Sequence, residues 1–454
     1  MFIFANQKYD NMELRDSMIM AIKLKNFKSY KEEAEFSFYA LPNTELSGNY
    51  SEFELNGEEI VRALNAAVIL GANASGKSNV IWAFRALNYL IRQSRSFERN
   101  HKISAYDAFA FDEQFEKAPV EITVELIVKG QKYTYAIEFN DIIHKESLTV
   151  ENGSLLPTLV FSRDTNDGDN VHHILIGEGW THEIPEWVSM DIMTNHLILS
   201  ELSSKRAYEL NDVYEALAYI NVFIHPVDMR MLNDQIAPIV IKSSSTEIFH
   251  RLIRLIRVAD LGIKDISMIR HDDDEFNIPE FVSESQKRKL IEDNRWEFRA
   301  YHKYINNQQQ EGFRPWDLKN ESMGTQHLFG LGAVILSVLD TGSLLVYDEL
   351  NMALHPEITR LLVKLFQNPE TNPNHSQLLF TTHDASVIGE SLMRCDQVWL
   401  AEKDKNGCSH LFSIQDFEDV PIVPPMEQWY RSGRFGALPN INQVHYIFTG
   451  EVNE

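Results

Sequence analysis

The chain has 454 residues, 44% of them apolar and 24% charged, which is the make-up of an ordinary globular protein too long for one simple core. Its 42 basic and 66 acidic residues leave a net charge of −24, so the molecule as a whole repels polyanions and any nucleic-acid footprint requires a local basic patch. The only cysteines, Cys395 and Cys408, lie far from a C-x-x-C spacing, which argues against structural zinc, a disulfide framework and secretion.

Residues 1–19 read as an extension before the first regular strand, and the polar Gln7, Lys8, Asp10 and Asn11 interrupt their apolar start, so no signal-peptide core is expected. No apolar run reaches the roughly 20 residues of a bilayer span, and a cytoplasmic protein is the simplest reading. From Ala21 to Phe27 the residues alternate as in a half-buried strand, and Ala34–Phe38 repeats the pattern after a polar turn, so a hairpin is expected. The Pro, Asn, Ser and Gly content of 41–58 predicts a loop.

Next comes the short apolar run Ala66–Leu70, then Gly71-Ala72-Asn73-Ala74-Ser75-Gly76-Lys77-Ser78, which fits G-x-x-x-x-G-K-[ST]. After it, Val80, Ile81, Phe84, Leu87, Leu90 and Ile91 recur at helical spacing. Strand, loop and helix in that order make a phosphate cradle. The glycines let the backbone approach phosphate oxygens, amides at the helix start point inward, Lys77 reaches the terminal phosphates, and the Ser78 hydroxyl is suited to magnesium. The predicted nucleotide contacts are Gly71, Asn73, Ala74, Ser75, Gly76, Lys77, Ser78 and Asn79.

Val120–Val128, Lys132–Phe139 and Ile142–Val150 read as an antiparallel meander, and the three Asp and one Gly between Asp164 and Asn170 as a surface loop. From Ser203 to about Leu261 the pattern turns helical, best in the stripe Ile248, Leu252, Ile253, Leu255 and Ile256. A helical insert over 201–318 is therefore expected, without the sustained heptads of a coiled coil. Its Arg251–Arg257 and Lys287–Lys289 stretches have acidic residues close by in sequence and read as solvated helix faces.

Beyond the insert, Glu321-Ser322-Met323-Gly324-Thr325-Gln326 precedes an apolar helix expected over Leu328–Leu339, and a hydroxyl and free amides at a helix start suit an anion as well as an ordinary cap. Ser343–Glu349 is an apolar strand ending in two carboxylates. Many strands stop at acidic residues, but downstream of a phosphate loop Asp348 takes the metal-ordering role and Glu349 that of the base that draws a proton from water. The run Gln377–Asp384 is another apolar strand, and the order of His383 after the Asp-Glu strand fits a histidine that senses the terminal phosphate.

Taken together, these stretches resemble ABC-type ATPases of the branch that holds SMC, RecF and RecN proteins. Ile22–Tyr30 is similar to the opening strand of those heads, and the spacing of 271 residues from Lys77 to Asp348 suits a head split by an insert. Within the branch, Glu321–Thr325, Asp348-Glu349 with Leu354-His355-Pro356, Thr381–Asp384 and the C-terminal Trp429–Pro439 resemble the compact ATP-binding proteins of the RloA and AbiLi type. The resemblance covers roughly residues 20–442. Glu321, Met323 and Thr325 stand where transporter-type heads carry Leu, Gly and Gln.

The resemblance implies an α/β fold, a P-loop NTPase with an ABC/SMC-like two-lobed ATPase head, an antiparallel meander in the first lobe and a helical insert. The expected divisions are 1–19, 20–200, 201–318 and 319–454. It implies ATP and magnesium as ligands, with Ser78 and Asp348 on the metal side and Lys77, Glu349 and His383 as catalytic residues. Asn26 and Lys28 would lie near the adenine end, and Ser322 and Gly324 would contact the terminal phosphate held by the opposite head of a homodimer or higher assembly. A magnesium-contacting glutamine is not placed; the strand expected over Asn195–Leu199 ends in Ser200-Glu201, where such a loop would fall. The family also implies anti-phage abortive infection with a separately encoded effector, often a TOPRIM-like nuclease or a toxin, and a phage-encoded trigger protein. Only 71 residues follow His383, fewer than the order of 100 that a nuclease domain needs, so the effector is expected in trans. The competing reading is an SMC- or RecF-like DNA-repair or recombination ATPase that clamps DNA.

Overall fold

The computed structural model describes residues 17–438 except 58, 100, 152, 154–155, 167–170, 181–191, 204–207, 225–245, 260–261, 280 and 390. The expected N-terminal extension, most of the Asp-rich loop and the tail after Leu438 therefore lie largely outside the described residues. In chain order the strands are β1 (Ser17–Lys25), β2 (Ala34–Ser37), β3 (Tyr50–Leu55), β4 (Glu59–Leu64) and β5 (Ala66–Leu70). Helices α1 (Lys77–Gln93) and α2 (Glu113–Glu116) precede β6 (Val120–Val128), β7 (Gln131–Phe139), β8 (Ile143–Glu151), β9 (Thr158–Asn166) and β10 (Val171–Ile176). Then come α3 (Ile198–Ser203), α4 (Tyr208–Ala218), β11 (Asn221–Phe223), α5 (Thr246–Ala259), β12 (Ile263–Arg270), α6 (Glu284–Asn294), β13 (Trp296–Ile305) and β14 (Glu311–Asp317). The last group is α7 (Met323–Thr341), β15 (Leu344–Tyr347), α8 (Pro356–Gln367), β16 (Gln377–Thr381), β17 (Val398–Lys403), β18 (Ser409–Ser413) and α9 (Met426–Arg431).

The chain divides into two compact units. The larger holds residues 15–224, 342–350 and 363–454, and with them two main sheets. One is six-stranded in the order β11-β15-β16-β5-β17-β18, parallel except for the last pair. All five residues of β5 and all four of β15 are buried, as the near-continuous apolar runs of a parallel sheet covered on both faces require. The other is the antiparallel order β10-β9-β8-β7-β6-β1-β2, in which the expected hairpin and meander appear and the meander continues through β9 and β10. Helix α1 buries Val80, Ile81, Phe84, Leu87, Leu90 and Ile91 in a core drawn from both sheets. At about 1.5–3 kcal/mol for each fully buried side chain, that one face fastens the helix that opens on the phosphate loop. This is the expected α/β P-loop NTPase architecture.

The smaller unit, whose described residues fall within 246–341 and 351–362, contains α5, α6, α7 and the antiparallel sheet β12-β13-β14. Among its described residues, the stretch 201–318 expected as a helical insert thus carries four strands, β11 to β14, besides its helices. Gly332 of α7 would place a Cβ 2.8 and 3.0 Å from Leu255 and Leu252, so α5 and α7 approach closely where the glycine lies. α7 is the described helix long and apolar enough to cross a membrane by length and composition, but 72% of its most apolar window is buried, as in a core helix.

Two local expectations change. Residues 50–64 form the β3-β4 hairpin in place of a loop; this two-stranded ribbon keeps Glu52, Glu54 and Glu59 exposed, so its composition mimics a loop. Ile198–Leu199 begin the helix α3 instead of continuing a strand. The buried Glu146 carboxylate accepts from the Ile198 and Leu199 amides at 2.7 and 3.0 Å, satisfying donors that a helix start leaves unpaired. Leu197, Ile198, Leu199 and Leu202 are all buried, and that packing overrides the strand preference of the apolar run.

Candidate active site

β15, β16 and β5 are parallel neighbours, with Tyr347 opposite Phe380 and Thr381 opposite Ile69. Their carboxyl ends therefore come out at one edge of the sheet, where ligands of open α/β sheets bind. From those ends the chain delivers the phosphate loop, Asp348-Glu349 and His383.

The loop has the backbone its glycines permit. Gly71 has φ 151° and Gly76 φ 109°, and Ala74 is left-handed at φ 62°. A Cβ on Gly71 would sit 2.3 Å from the Ala401 carbonyl oxygen, and one on Gly76 2.4 Å from Ser409 Oγ. Asn73 and Ala74 are exposed, while Ser75, Gly76 and Lys77 are buried. The Lys77 ammonium donates to the Gly71 and Ala72 carbonyls at 3.0 and 2.9 Å. Burial lowers its pKa, opposed by the charges of Glu349 and Asp348.

The Ser78 hydroxyl donates to Asp348 Oδ1 at 3.0 Å, pairing the two residues expected on the metal side. His383 Nε2 lies 2.8 Å from Glu349 Oε1, and its Nδ1 is 3.4 Å from Lys77 Nζ. A lysine ammonium only donates, so Nδ1 is the accepting nitrogen and Nε2 carries the proton given to Glu349. Glu349 is left-handed at φ 56°. Burial raises its carboxyl pKa, while His383 and Lys77 pull the other way.

The remaining predicted residues have bonds of their own. The Asn26 amide donates to the carbonyls of Phe115, Ala118 and Pro119 and its oxygen accepts from the Phe109 amide, so the side chain is committed to holding that loop. Lys28 pairs with Asp107 and lies 4.8 Å from the Trp82 ring centre. Asn79 donates to Ser29 Oγ at 2.6 Å. Ser322 and Gly324 belong to the smaller unit: Ser322 Oγ caps α7 by accepting from the Thr325 amide at 3.1 Å, and a Cβ on Gly324 would lie 2.6 Å from the Ala353 oxygen. That contact joins the Ser-x-Gly turn to the segment after the Asp-Glu strand. Ser200 donates to the Ile91 carbonyl in the last turn of α1, about 20 Å along the helix from Ser78 at 1.5 Å per residue. The Ser200-Glu201 segment is therefore not part of the Asp348 shell.

Sequence reasoning missed three supports. Thr381 Oγ1 donates to Asp348 Oδ1 at 2.5 Å and accepts from the Glu349 amide at 2.8 Å. Ser409 Oγ donates to Ser29 Oγ at 2.6 Å beneath Gly76. The Tyr30 hydroxyl donates to the Gly76 carbonyl at 3.3 Å. Thr381 had a signal, a hydroxyl within an apolar strand; Ser409 had none.

The residues fit a nucleoside triphosphate with magnesium. The Ser75 hydroxyl is buried in the loop without a hydrogen-bond partner, the glycines leave the backbone open to close approach, and a hydroxyl and a carboxylate meet at Ser78 and Asp348.

The profile of a protein family described as "AAA domain, putative AbiEii toxin, Type IV TA system" matches residues 66–172 and 229–389, more than half of the chain. No curated protein matches. Among solved structures, the chain is similar to an SMC head bound to the C-winged helix domain of ScpA, at 14% identity and TM-score 0.44, covering 87% of this chain and 97% of that one. It is also similar to the SMC head domain from Thermotoga maritima, at 14% identity and TM-score 0.39 over 87% and 98% of the two chains.

Proposed function

Because the chain belongs to the family of AAA domains described as putative AbiEii toxin, Type IV TA system, we propose that it binds and hydrolyses ATP and, by assembling through its nucleotide-bound heads, controls a separately encoded effector. The observation that carries the catalytic part is the convergence of Lys77, Ser78, Asp348, Glu349 and His383 at one sheet edge. In this reading the loop amides and Lys77 bind the phosphates, and Ser78 with Asp348 holds magnesium, which neutralises phosphate charge when bound. Glu349 takes the proton of the attacking water, and His383 orients the Glu349 carboxylate through its Nε2–H.

The narrower kinship, to the RloA and AbiLi type, is supported by the Trp429–Pro439 motif. Through Leu438 this segment is a packed turn: Arg434 lies 3.8 Å from the Trp429 ring centre, and the Tyr430 hydroxyl donates to the Ala437 carbonyl. With that kinship comes a cytoplasmic role in anti-phage defence, with a nuclease or toxin as effector and a phage protein as trigger. Ser322 and Gly324 are proposed to reach the nucleotide of an opposite head. The net charge of −24 favours this reading over a DNA clamp.

The test is mass by light scattering with and without ATP, on wild type and Glu349→Gln, co-expressed with the neighbouring gene product, alongside turnover. Glu349→Gln is expected to bind ATP, to turn over about 10² times more slowly or worse, and to hold a larger assembly that retains the second protein. Unchanged turnover would remove Glu349 from the role of base, and a lone monomer that binds DNA would favour the clamp.

A further inference from the structure

We propose that Thr381 is a positioning residue that sets both acidic groups of the site at once. It closes β16 between the apolar Leu378-Leu379-Phe380 and the polar exit of the strand, and it is fully buried. A hydroxyl at such a place needs partners, and it has two. The Glu349 amide donates to Oγ1, so the single hydroxyl proton is free to go to Asp348 Oδ1, 2.5 Å away. The direction of both bonds follows from the donors present.

The backbone of the same residue adds a third tie, because the Thr381 carbonyl accepts from the Leu350 amide at 3.1 Å. Residues 348, 349 and 350 are thus all fastened to one position on the neighbouring strand. The middle one needs it most: Glu349 has φ 56°, a left-handed conformation that L-residues rarely adopt, and the ties lie at its own amide and at the next. Without the hydroxyl, the Glu349 amide loses its acceptor and Asp348 Oδ1 keeps only the Ser78 hydroxyl of the two it now accepts. The carboxylate proposed for the metal side and the backbone that aims the base then loosen together. His383, two residues further along, is aimed at Glu349 from the same strand exit. Thr381 itself touches neither reacting atoms nor phosphate in this account.

This inference rests on the ATPase reading, and the experiment separates their failures. Thr381→Val removes the hydroxyl and keeps the branched shape, while Thr381→Ser keeps the hydroxyl and drops the methyl. For both, kcat and KM for ATP, the magnesium concentration for half-maximal rate, and the affinity for a fluorescent ATP analogue in EDTA are measured. Thr381→Val is expected to lower kcat by about 10- to 100-fold, the scale of a slightly misplaced catalytic group, and to raise the magnesium requirement. Analogue affinity in EDTA should stay within about threefold, and Thr381→Ser should restore most of kcat.

A Thr381→Val protein with wild-type kcat and magnesium requirement overturns the proposal. So does a Thr381→Ser protein as impaired as Thr381→Val, which would assign the residue to packing alone. Should Thr381→Val not fold, Thr381→Ala against Thr381→Ser makes the same comparison, since both lack the methyl and differ in the hydroxyl. A wild type without turnover overturns the ATPase reading and this inference with it.

Discussion

Replacing Gly76 by alanine tests the claim that the phosphate loop is built around a floor of hydroxyls. At φ 109° and ψ 3° the position lies where L-residues are rarely found, which costs about 1–3 kcal/mol. The new Cβ would lie 2.4 Å from Ser409 Oγ, 2.7 Å from Ser409 Cβ and 3.1 Å from Ser29 Oγ. Ser409 has little freedom to withdraw, since its amide donates to the Ser29 carbonyl at 2.8 Å and its hydroxyl to Ser29 Oγ at 2.6 Å. Overpacking of that kind adds about 1–3 kcal/mol, so the two causes together predict a loss of roughly 2–6 kcal/mol. The assay is urea unfolding followed by tryptophan fluorescence, with fluorescent ATP-analogue binding measured in parallel. Adding Ser409→Gly removes the steric share and leaves the backbone share, so a double-mutant cycle should show a coupling of about 1–3 kcal/mol. Gly312→Ala is the control, because its Cβ would meet nothing within 4 Å, and it should stay within about 0.5 kcal/mol of wild type. A Gly76→Ala protein as stable as that control, or a cycle without coupling, would refute the account of the loop.

Asn26→Ala removes the acceptor of the Phe109 amide and a donor from three carbonyls, of which those of Phe115 and Ala118 keep another, in a residue 2% exposed, so a stability loss of about 1–3 kcal/mol is expected in thermal melts. A change in nucleotide affinity with no change in melting would instead return Asn26 to the adenine end. The pH dependence of kcat should show an acid limb, because a base must be ionised to accept a proton and burial raises the Glu349 pKa above its ordinary value. Activity is then lost as pH falls through that raised pKa; the limb should vanish in Glu349→Gln, and a limb at or below the ordinary glutamate range would contradict the assignment.

Residues legible in the sequence share one property: they follow, within a residue or two, an apolar run that can only be a buried strand. Gly71 leaves β5, Asp348 leaves β15 and His383 follows β16, so strand identity located each of them without knowledge of strand order. In the larger unit's sheets β5, β15 and β16 were legible for the same reason and β1, β2, β6, β7 and β8 by alternation, while β9, β10, β11, β17 and β18 were not expected. The β3-β4 hairpin was not, because its buried Leu55, Ala63 and Leu64 are interleaved with exposed Glu52, Glu54 and Glu59 around the Asn56-Gly57 turn, and α3 was not, because its start is capped by Glu146 from another strand. Asn26 was legible as a position, but its bonding partners were not. The resemblance implied the adenine end for it, and its hydrogen bonds reach the 109–119 segment, a partner that local pattern does not reveal.

The supports of the site mark the limit more sharply. Thr381 and Ser409 act on residues 33 and 333 positions away, and they meet them only because β16 lies between β15 and β5 while β18 follows β17 at the other side of β5. Strand order is set by the packing of whole faces, which no local window contains. A hydroxyl inside an apolar strand next to a catalytic strand end therefore gains meaning once the order is known. Thr381 meets that condition on both of its bonds, since the acceptor it serves and the donor it receives belong to the two carboxylate residues of the neighbouring strand end. The Glu349 conformation and the Thr381 hydroxyl are in this sense one feature: the strained backbone aims the carboxylate at His383, and the buried hydroxyl keeps that backbone in place.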